Sequence, residues 1–452
     1  MNALRTEYPA LSEDAYKIIG LIYISARPFK WKWTLEDVKD TGQENDSQPS
    51  ANDRSLWVDE VGSMLTNMLV MAGYPSNSES IHTRFFHESV ARSLGPHPRG
   101  CGPPDSWKSF MTDDHTPVEL SWCWSTTLQT PTVRYSVEPI GPSAGKEVDP
   151  INTAASLRLL GDTLPLAPEL DLYLHRHFKG LLSSRNEPMK EDNQNSLAPQ
   201  SQSFMAFDLL EKSIVVKQYY LPGWRALAEG KTKLSIVEDS FQKLPAPANG
   251  LMDSIDMFNE FFGSFPEHSQ PAVEIVAIDC LDPAHSRLKM YVRSHLTTLE
   301  SAIHMLSLGG NAPKTRDEED SLRELWCSVF GLNPDKYHNH QPLSDKEHRT
   351  GGILYYYELK RGMKVPKSKV YLPVRHYAQS DEQIARGLTD YLARRNKTLA
   401  TGSYYDGVKK LCTHRDLANG LGFHTYICWA SDKGQWNVTA YFNPEIYHHS
   451  RS

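Results

Sequence analysis

Ile214-Val-Val-Lys217-Gln-Tyr219-Tyr-Leu221, Leu288-Lys289-Met-Tyr291-Val292 and Lys369-Val-Tyr371-Leu-Pro373 carry one pattern three times: a lysine and a tyrosine two residues apart within an apolar run. Each run reads as a β-strand, over Ile214 to Leu221, Leu288 to Val292 and Val370 to Pro373. Residues i and i+2 of a strand share a face, so each pair presents a cation beside an aromatic ring. An ammonium leaves water only where it meets an anion. Repeated on equivalent strands, the pairs predict a barrel whose inside binds a polyanion and caps it with π-faces.

Strand-like segments come in couples on either side of these runs. Pro117 to Ser125 goes with Thr132 to Ile140, Phe204 to Leu209 with Lys212 to Leu221, and Val273 to Asp279 with Arg287 to Arg293. Gly352 to Leu359 goes with Ser368 to Pro373, and His424 to Ala430 with Trp436 to Phe442. Helix-compatible stretches lie between them: Ala154 to Arg176, Gly250 to Phe262, Leu296 to Leu308, Glu319 to Phe330, Asp381 to Arg395 and Tyr404 to Leu411. From Arg134 the anchors step by 83, 72, 80 and 70 residues to Lys217, Lys289, Lys369 and Thr439. That period predicts one unit of two helices and a hairpin, repeated along the chain. Antiparallel strands with helices on one face can close into a barrel and so lose their exposed edges. The competing reading is a set of unrelated hairpins in a multidomain α+β protein.

Ahead of the first couple, Leu56, Val58, Val61, Met64, Leu65, Met68 and Leu69 have the spacing of an amphipathic helix, capped by Asp53 or Ser55 and stopped at Gly73-Tyr74-Pro75. Thr41 to Asn52 and Ser183 to Ser203 read as polar loops, the second a mobile one. The 452-residue chain is 39% hydrophobic and 23% charged, with 21 tyrosines and 10 tryptophans, enough for a large core and aromatic-lined pockets. A net charge of −7 argues against nucleic acid as a partner, so any anion site is local. The six cysteines show no CxxC and no zinc-ligand spacing, which predicts free thiols in a reducing compartment. Met1 to Tyr8 does not read as a secretory signal and no run reaches a membrane span, so a cytoplasmic protein is expected.

In the first couple, Glu119 interrupts an apolar strand on the face of Ser121 and Cys123, and the partner strand carries Arg134. The two can form a cross-strand ion pair, worth little if exposed. Alternatively the carboxylate accepts a proton or hydrogen bond from a substrate while the guanidinium binds phosphate. Ser286-Arg287-Leu288-Lys289-Met290-Tyr291 places Arg287, Lys289 and Tyr291 on one face, a density of cations that suits phosphate oxygens. A solvated basic edge strand would look similar. There is no GxxxxGK[ST], no GxGxxG ahead of a helix and no DDxxD, so lysines and arginines must neutralise any diphosphate in place of a metal. Asp317-Glu318-Glu319-Asp320 reads as a solvated helix start. His87, His97, His115, His424, His448 and His449 have no metal-ligand spacing and read as structural or surface residues.

Thr116-Pro-Val-Glu119-Leu-Ser-Trp, Val133-Arg134-Tyr-Ser-Val-Glu-Pro, Val216-Lys217-Gln-Tyr219-Tyr-Leu-Pro, Ser286-Arg287-Leu-Lys289-Met-Tyr291 and Lys369-Val-Tyr371-Leu-Pro resemble, in order, the fungal aromatic prenyltransferases of the dimethylallyltryptophan synthase superfamily. The resemblance runs from about Trp57 to Tyr447. It implies an α+β fold, the ABBA prenyltransferase barrel of five ααββ repeats, with ten antiparallel strands around a central lumen and helices outside. The whole chain, 1–452, would be one domain, with 1–110 a helical lead-in and 111–447 the barrel repeats. It also implies metal-independent transfer of a dimethylallyl group from dimethylallyl diphosphate, a co-substrate, to an electron-rich ring, usually an indole, with no cofactor. The implied partners are these small molecules, with the chain a monomer or homodimer.

Carried over by position, Glu119 resembles the carboxylate that accepts the indole N–H. Arg134, Lys217, Arg287, Lys289 and Lys369 resemble the diphosphate clamp, and Tyr219, Tyr291, Tyr371 and Tyr441 the aromatic shield. Glu119 must be ionised for that role, and burial beside Arg134 would hold its pKa down. Two departures matter. Gln435, Trp436 and Asn437 stand where relatives often place further tyrosines or basic groups. Ser201 to Phe207 also lacks the lysine that C4-alkylating members carry as final proton acceptor, which points away from regular C4 alkylation of free tryptophan and toward a larger indole such as a tryptophan-containing cyclic dipeptide. The alternatives are a phenolic acceptor such as tyrosine, and a non-catalytic barrel that carries an isoprenoid diphosphate.

Overall fold

Hairpins fold locally, and here each one joins the next through helices. The computed structural model describes residues 50–100, 107–183, 200–244, 252–266 and 269–451. Most of the two expected polar loops, Cys101 and residues 1–49 lie outside them. The strands are β1 (Val118–Ser125), β2 (Thr132–Val137), β3 (Ser203–Leu209), β4 (Ile214–Tyr220), β5 (Ala272–Asp279), β6 (Arg287–Ser294), β7 (Ile353–Lys360), β8 (Lys367–Leu372), β9 (His424–Asp432) and β10 (Gln435–Phe442). Each pairs antiparallel with its chain neighbours, and β10 pairs with β1, so the sheet closes into a ten-stranded barrel without a free edge. The basic-edge reading of Arg287 and Lys289 therefore fails, since β6 is paired on both sides.

The outer face of the barrel is apolar and meets a layer of helices. Trp122, Trp124, Tyr135, Phe207, Tyr220, Tyr355, Tyr357, Trp429 and Phe442 are buried there in one large core. Leu354, Tyr356, Tyr291 and Ala277 form a second, separate cluster on the inside. The expected helix over Ala154 to Arg176 is in fact two, Ala154–Asp162 and Tyr173–Leu182, because Pro165 and Pro168 cannot continue the hydrogen-bond ladder. Helices Ser76–Phe85, Gly223–Glu229 and Lys233–Gln242 were not expected; the last starts at Thr232, whose hydroxyl accepts from the Ser235 N–H. The N-cap of helix Ala51–Trp57 is Ser50, with Asp53 closing a capping box, in place of the expected Asp53 or Ser55 cap. The acidic start at Asp317 to Asp320 is less solvated than expected: Glu318 is buried, caps Thr315 and accepts from the Ser431 hydroxyl.

Helices Arg316–Phe330 and Asp381–Ala393 approach closely at Gly387, where a Cβ would lie 2.1 Å from the Ser328 carbonyl oxygen. Backbone cannot yield there as a side-chain tip can. Gly387→Ala is expected to destabilise the fold by about 1–3 kcal/mol, read as a lower urea midpoint; an unchanged midpoint would mean that the helices can separate freely.

Candidate active site

Directly opposed residues of neighbouring antiparallel strands share a face. Ser121 opposes Arg134, Arg134 opposes Asp208, Lys217 opposes Asp279, Lys289 opposes Glu358, and Tyr356 opposes Lys369. One chain of pairings thus puts every expected cation, with Tyr219, Tyr291, Tyr371, Tyr441 and Glu119, on the lumen side of the barrel.

The lumen is layered along its axis. At one end lie the cations, interleaved with three carboxylates that the sequence reading passed over. Asp208 holds Lys217 at 2.5 Å and Arg134 at 3.3 Å. Asp279 holds Arg287 at 2.5 Å and pairs with Lys289; both side chains of the Lys289–Asp279 pair are nearly shut off from solvent, at 3% and 2% exposure. Glu358 lies 3.4 Å from Arg287 and accepts from the Tyr356 hydroxyl at 2.6 Å. Burial alone would raise Asp208 and Asp279, but Arg134 and Lys217 around the first, and Lys289 and Arg287 around the second, hold both well below the usual carboxylate range. Burial lowers the Lys217 ammonium, and it draws Lys289 down to about 7 against the pull of Asp279. The five basic groups outnumber the three carboxylates, so even with Lys289 neutral the ring keeps a surplus of positive charge to offer a polyanion.

Above the ring is a belt of tyrosines. Tyr291 packs against Tyr219, Tyr356 and Tyr371 with ring centroids at 6.0, 5.2 and 5.7 Å, and Tyr371 reaches Tyr441 at 5.7 Å and Tyr426 at 6.1 Å. Phe204 stacks on Tyr219 at 4.4 Å, and Lys369 Nζ lies 5.2 Å from the Tyr356 ring centre. The sequence reading found four of these tyrosines and missed Tyr356 and Tyr426. Tyr356 stands two residues before Glu358 on a predicted strand, a signal that was available.

Glu119 lies beyond the belt, at the opposite end from the cations. It makes no ion pair with Arg134, contrary to both the simple reading and the expectation that Arg134 lowers its pKa. Arg134 pairs instead with Asp208, while Glu119 Oε1 accepts from the Thr425 hydroxyl at 2.6 Å. A bulge in β9 explains that partner: Ala440 opposes Ile427 but Phe442 opposes His424, so one extra β9 residue stands across from Tyr441, and Thr425 comes within reach of the lumen carboxylate. Burial pushes the Glu119 carboxyl up to about 7, against smaller lowering effects from the Thr425 hydroxyl and the Arg375 charge. A carboxylate so placed is a strong hydrogen-bond acceptor and a base working near neutrality.

Among the described residues, Asp113, His348 and His376, and separately Cys412, His414 and Glu445, bring three possible ligand atoms within 4.8 Å of one another. Neither group is in the cation ring. His97 and His424 are buried, with burial holding His97 down to about 4 and His424 bonded to Asp381. The described cysteines, Cys123, Cys280, Cys327, Cys412 and Cys428, are free. No helix among the described residues is long and apolar enough to cross a membrane.

The same barrel occurs in solved structures: the crystal structure of AnaPT from Neosartorya fischeri superposes with a TM-score of 0.72 over 88% of this chain and 95% of that one, at 23% identity. NotF, solved with brevianamide F and DMSPP, gives 0.72 over 87% and 95%, at 19% identity. Residues 53–407 match the tryptophan dimethylallyltransferase family, and the chain belongs to it. It is 49% identical over 398 residues to the 4-O-dimethylallyl-L-tyrosine synthase of Claviceps purpurea, covering 88% of this chain and 89% of that protein. It is 30% identical to a 7-dimethylallyltryptophan synthase of Aspergillus fumigatus, covering 88% and 86%. The protein is an aromatic prenyltransferase that works on small molecules.

Proposed function

We propose that this enzyme transfers the dimethylallyl group of dimethylallyl diphosphate to the phenolic oxygen of tyrosine. The observation that carries this reading is the 49% identity, over 88% of the chain, to a tyrosine 4-O-dimethylallyltransferase. The indole acceptor inferred from the sequence has the weaker support of the 30% relative. The missing lysine in Ser201 to Phe207 is accounted for equally well by a reaction that removes no proton from a ring carbon.

Arg134, Lys217, Arg287, Lys289 and Lys369 bind the diphosphate and stabilise it as it leaves, where its charge develops. The C1–O bond of the donor breaks with its electron pair going to the diphosphate. Tyr219, Tyr291, Tyr356, Tyr371 and Tyr441 face the allyl cation, each worth about 0.5–2 kcal/mol when desolvated, and the closed barrel keeps water from capturing it. A lone pair of the phenol oxygen forms the new bond to C1, and the phenol proton passes to Glu119. A phenol has a pKa of about 10, so a base near 7 is better matched to it than an ordinary carboxylate.

The ring offers cations where a metal would otherwise neutralise the diphosphate, so turnover needs no metal. Purified protein with dimethylallyl diphosphate, EDTA and equal L-tyrosine and L-tryptophan is expected to give mainly the aryl ether of tyrosine, identified by mass spectrometry and NMR. Prenylated tryptophan as the main product would refute the phenol reading, and complete dependence on added magnesium would refute the clamp.

A further inference from the structure

The mouth of the barrel next to Glu119 holds two buried arginines that the chemistry above does not use. Arg375 follows β8 in the short helix Val374–Tyr377, and its side chain is 6% exposed. Its Nε meets Asp113 at 3.0 Å, its Nη2 donates to the Thr350 hydroxyl at 2.9 Å and to Tyr426 at 3.3 Å, and its guanidinium lies 4.7 Å from the Tyr426 ring centre. Its Nη1 donates to nothing among the described residues. Arg293 continues the lumen face of β6 beyond Lys289 and Tyr291, and it is also buried, with 8% of its side chain exposed. Its Nη1 donates to the Thr350 carbonyl at 2.9 Å, so Thr350 ties the two arginines together. Its buried Nε makes no hydrogen bond, and the nearest carboxylate, on Glu274, is 3.9 Å away.

We infer that Arg375 and Arg293 bind the α-carboxylate of a free amino-acid acceptor at the barrel mouth, with Asp113 taking its α-ammonium, while the ring reaches down to Glu119. This rests on the proposed reading of an amino-acid acceptor. Two fixed guanidinium groups with unused N–H donors match a carboxylate. Tyr426 and Thr350 hold the Arg375 fork in place, and Asp113 is 35% exposed and can meet a second charge. The same site rejects acceptors whose carboxylate is masked in an amide or peptide bond, since the arginines would then stay buried against a neutral group. Arg375 also lies close enough to Glu119 for its charge to favour the ionised carboxyl, so its two effects must be separated.

The test compares L-tyrosine with tyramine, which lacks the carboxylate, at pH 8, where Glu119 is ionised. The wild type is expected to prefer L-tyrosine by on the order of 100-fold in kcat/KM. Arg375→Gln and Arg293→Gln should each lose most of that preference through KM for L-tyrosine; tyramine turnover changes less than about threefold in Arg293→Gln, whose charge does not act on Glu119, and in Arg375→Gln it falls only as far as L-tyrosine kcat does. Retained tyramine turnover also shows that the variants fold, and Arg375→Lys should recover part of the preference. Equal losses on the two acceptors, or a wild type indifferent to the carboxylate, would overturn the inference. If tryptophan proves to be the acceptor, the tryptophan and tryptamine pair asks the same question. Discrimination kept there would sink the phenol reading alone, and discrimination absent from both pairs would sink the mouth site.

Discussion

Glu119→Gln is expected to lower kcat by about 10²–10⁴-fold while the affinity for dimethylallyl diphosphate stays within about twofold. The amide keeps the shape of the side chain and can still accept from Thr425, so the lumen is not rebuilt. It cannot take a proton. The cations proposed to hold the donor lie at the far end of the barrel, beyond the tyrosine belt, and do not touch the substitution. Rapid-quench turnover alongside equilibrium donor binding separates the two effects. A variant that retains turnover within tenfold would show that the phenol loses its proton elsewhere.

The same substitution has a second consequence of opposite sign. The folded-state pKa of Glu119, about 7, lies above the ordinary 4.5 because burial penalises the charge. Below pH 4.5 the carboxyl is neutral whether folded or not, and the wild type and the amide are equally stable. Between 4.5 and 7 the unfolded chain ionises first, so the wild type loses stability relative to the amide, and above 7 the loss is complete. The loss amounts to about 1–3 kcal/mol. Glu119→Gln should therefore melt higher than the wild type at pH 8 and together with it at pH 4.5. An acid limb of kcat/KM near pH 7 is expected from the same group, and it should disappear in the variant. A far slower but more stable variant is what a site that buries an ionised base produces.

How far could the sequence be read? The strands were readable because their outer faces are apolar and their inner faces carry chemistry, which leaves a period of two even where Lys217 and Lys289 are buried. The spacing of the hairpins allowed closure without requiring it, and the family resemblance implied it. The carboxylates Asp208 and Asp279 lay on strands already placed, and pairing those strands would have set Asp208 across from Arg134 and Asp279 across from Lys217. Thr425 was not readable, because it comes to the lumen through a bulge, and an extra residue in one strand changes inside to outside without any mark in the pattern. Arg375 was not readable either: it lies in a turn of helix after β8, and its place beside Glu119 depends on the β8–β9 and β9–β10 contacts closing around it.

Lys289 carries the other large effect. Lys289→Gln is expected to lower kcat by about 10²–10³-fold, because the ammonium acts where charge gathers as the C–O bond breaks. Unlike its arginine neighbours it can lose its own charge, since burial draws it down to about 7 from 10.5. Diphosphate prefers the ammonium, so KM for the donor should rise above pH 7, by up to about tenfold per pH unit for a single proton. Lys289→Arg separates position from titration, because a guanidinium in the same lumen does not deprotonate. It should keep measurable turnover and flatten the alkaline limb up to pH 9, leaving the acid limb of Glu119 in place. Loss of both limbs together would mean that one coupled group, and not two at opposite ends of the barrel, sets the profile. If instead donor KM in the wild type is constant from pH 6 to pH 9, either Asp279 keeps the ammonium charged or the donor never meets it. Lys289→Gln decides between these: a large fall in kcat retains the clamp with a charged lysine, and an unchanged kcat removes Lys289 from it.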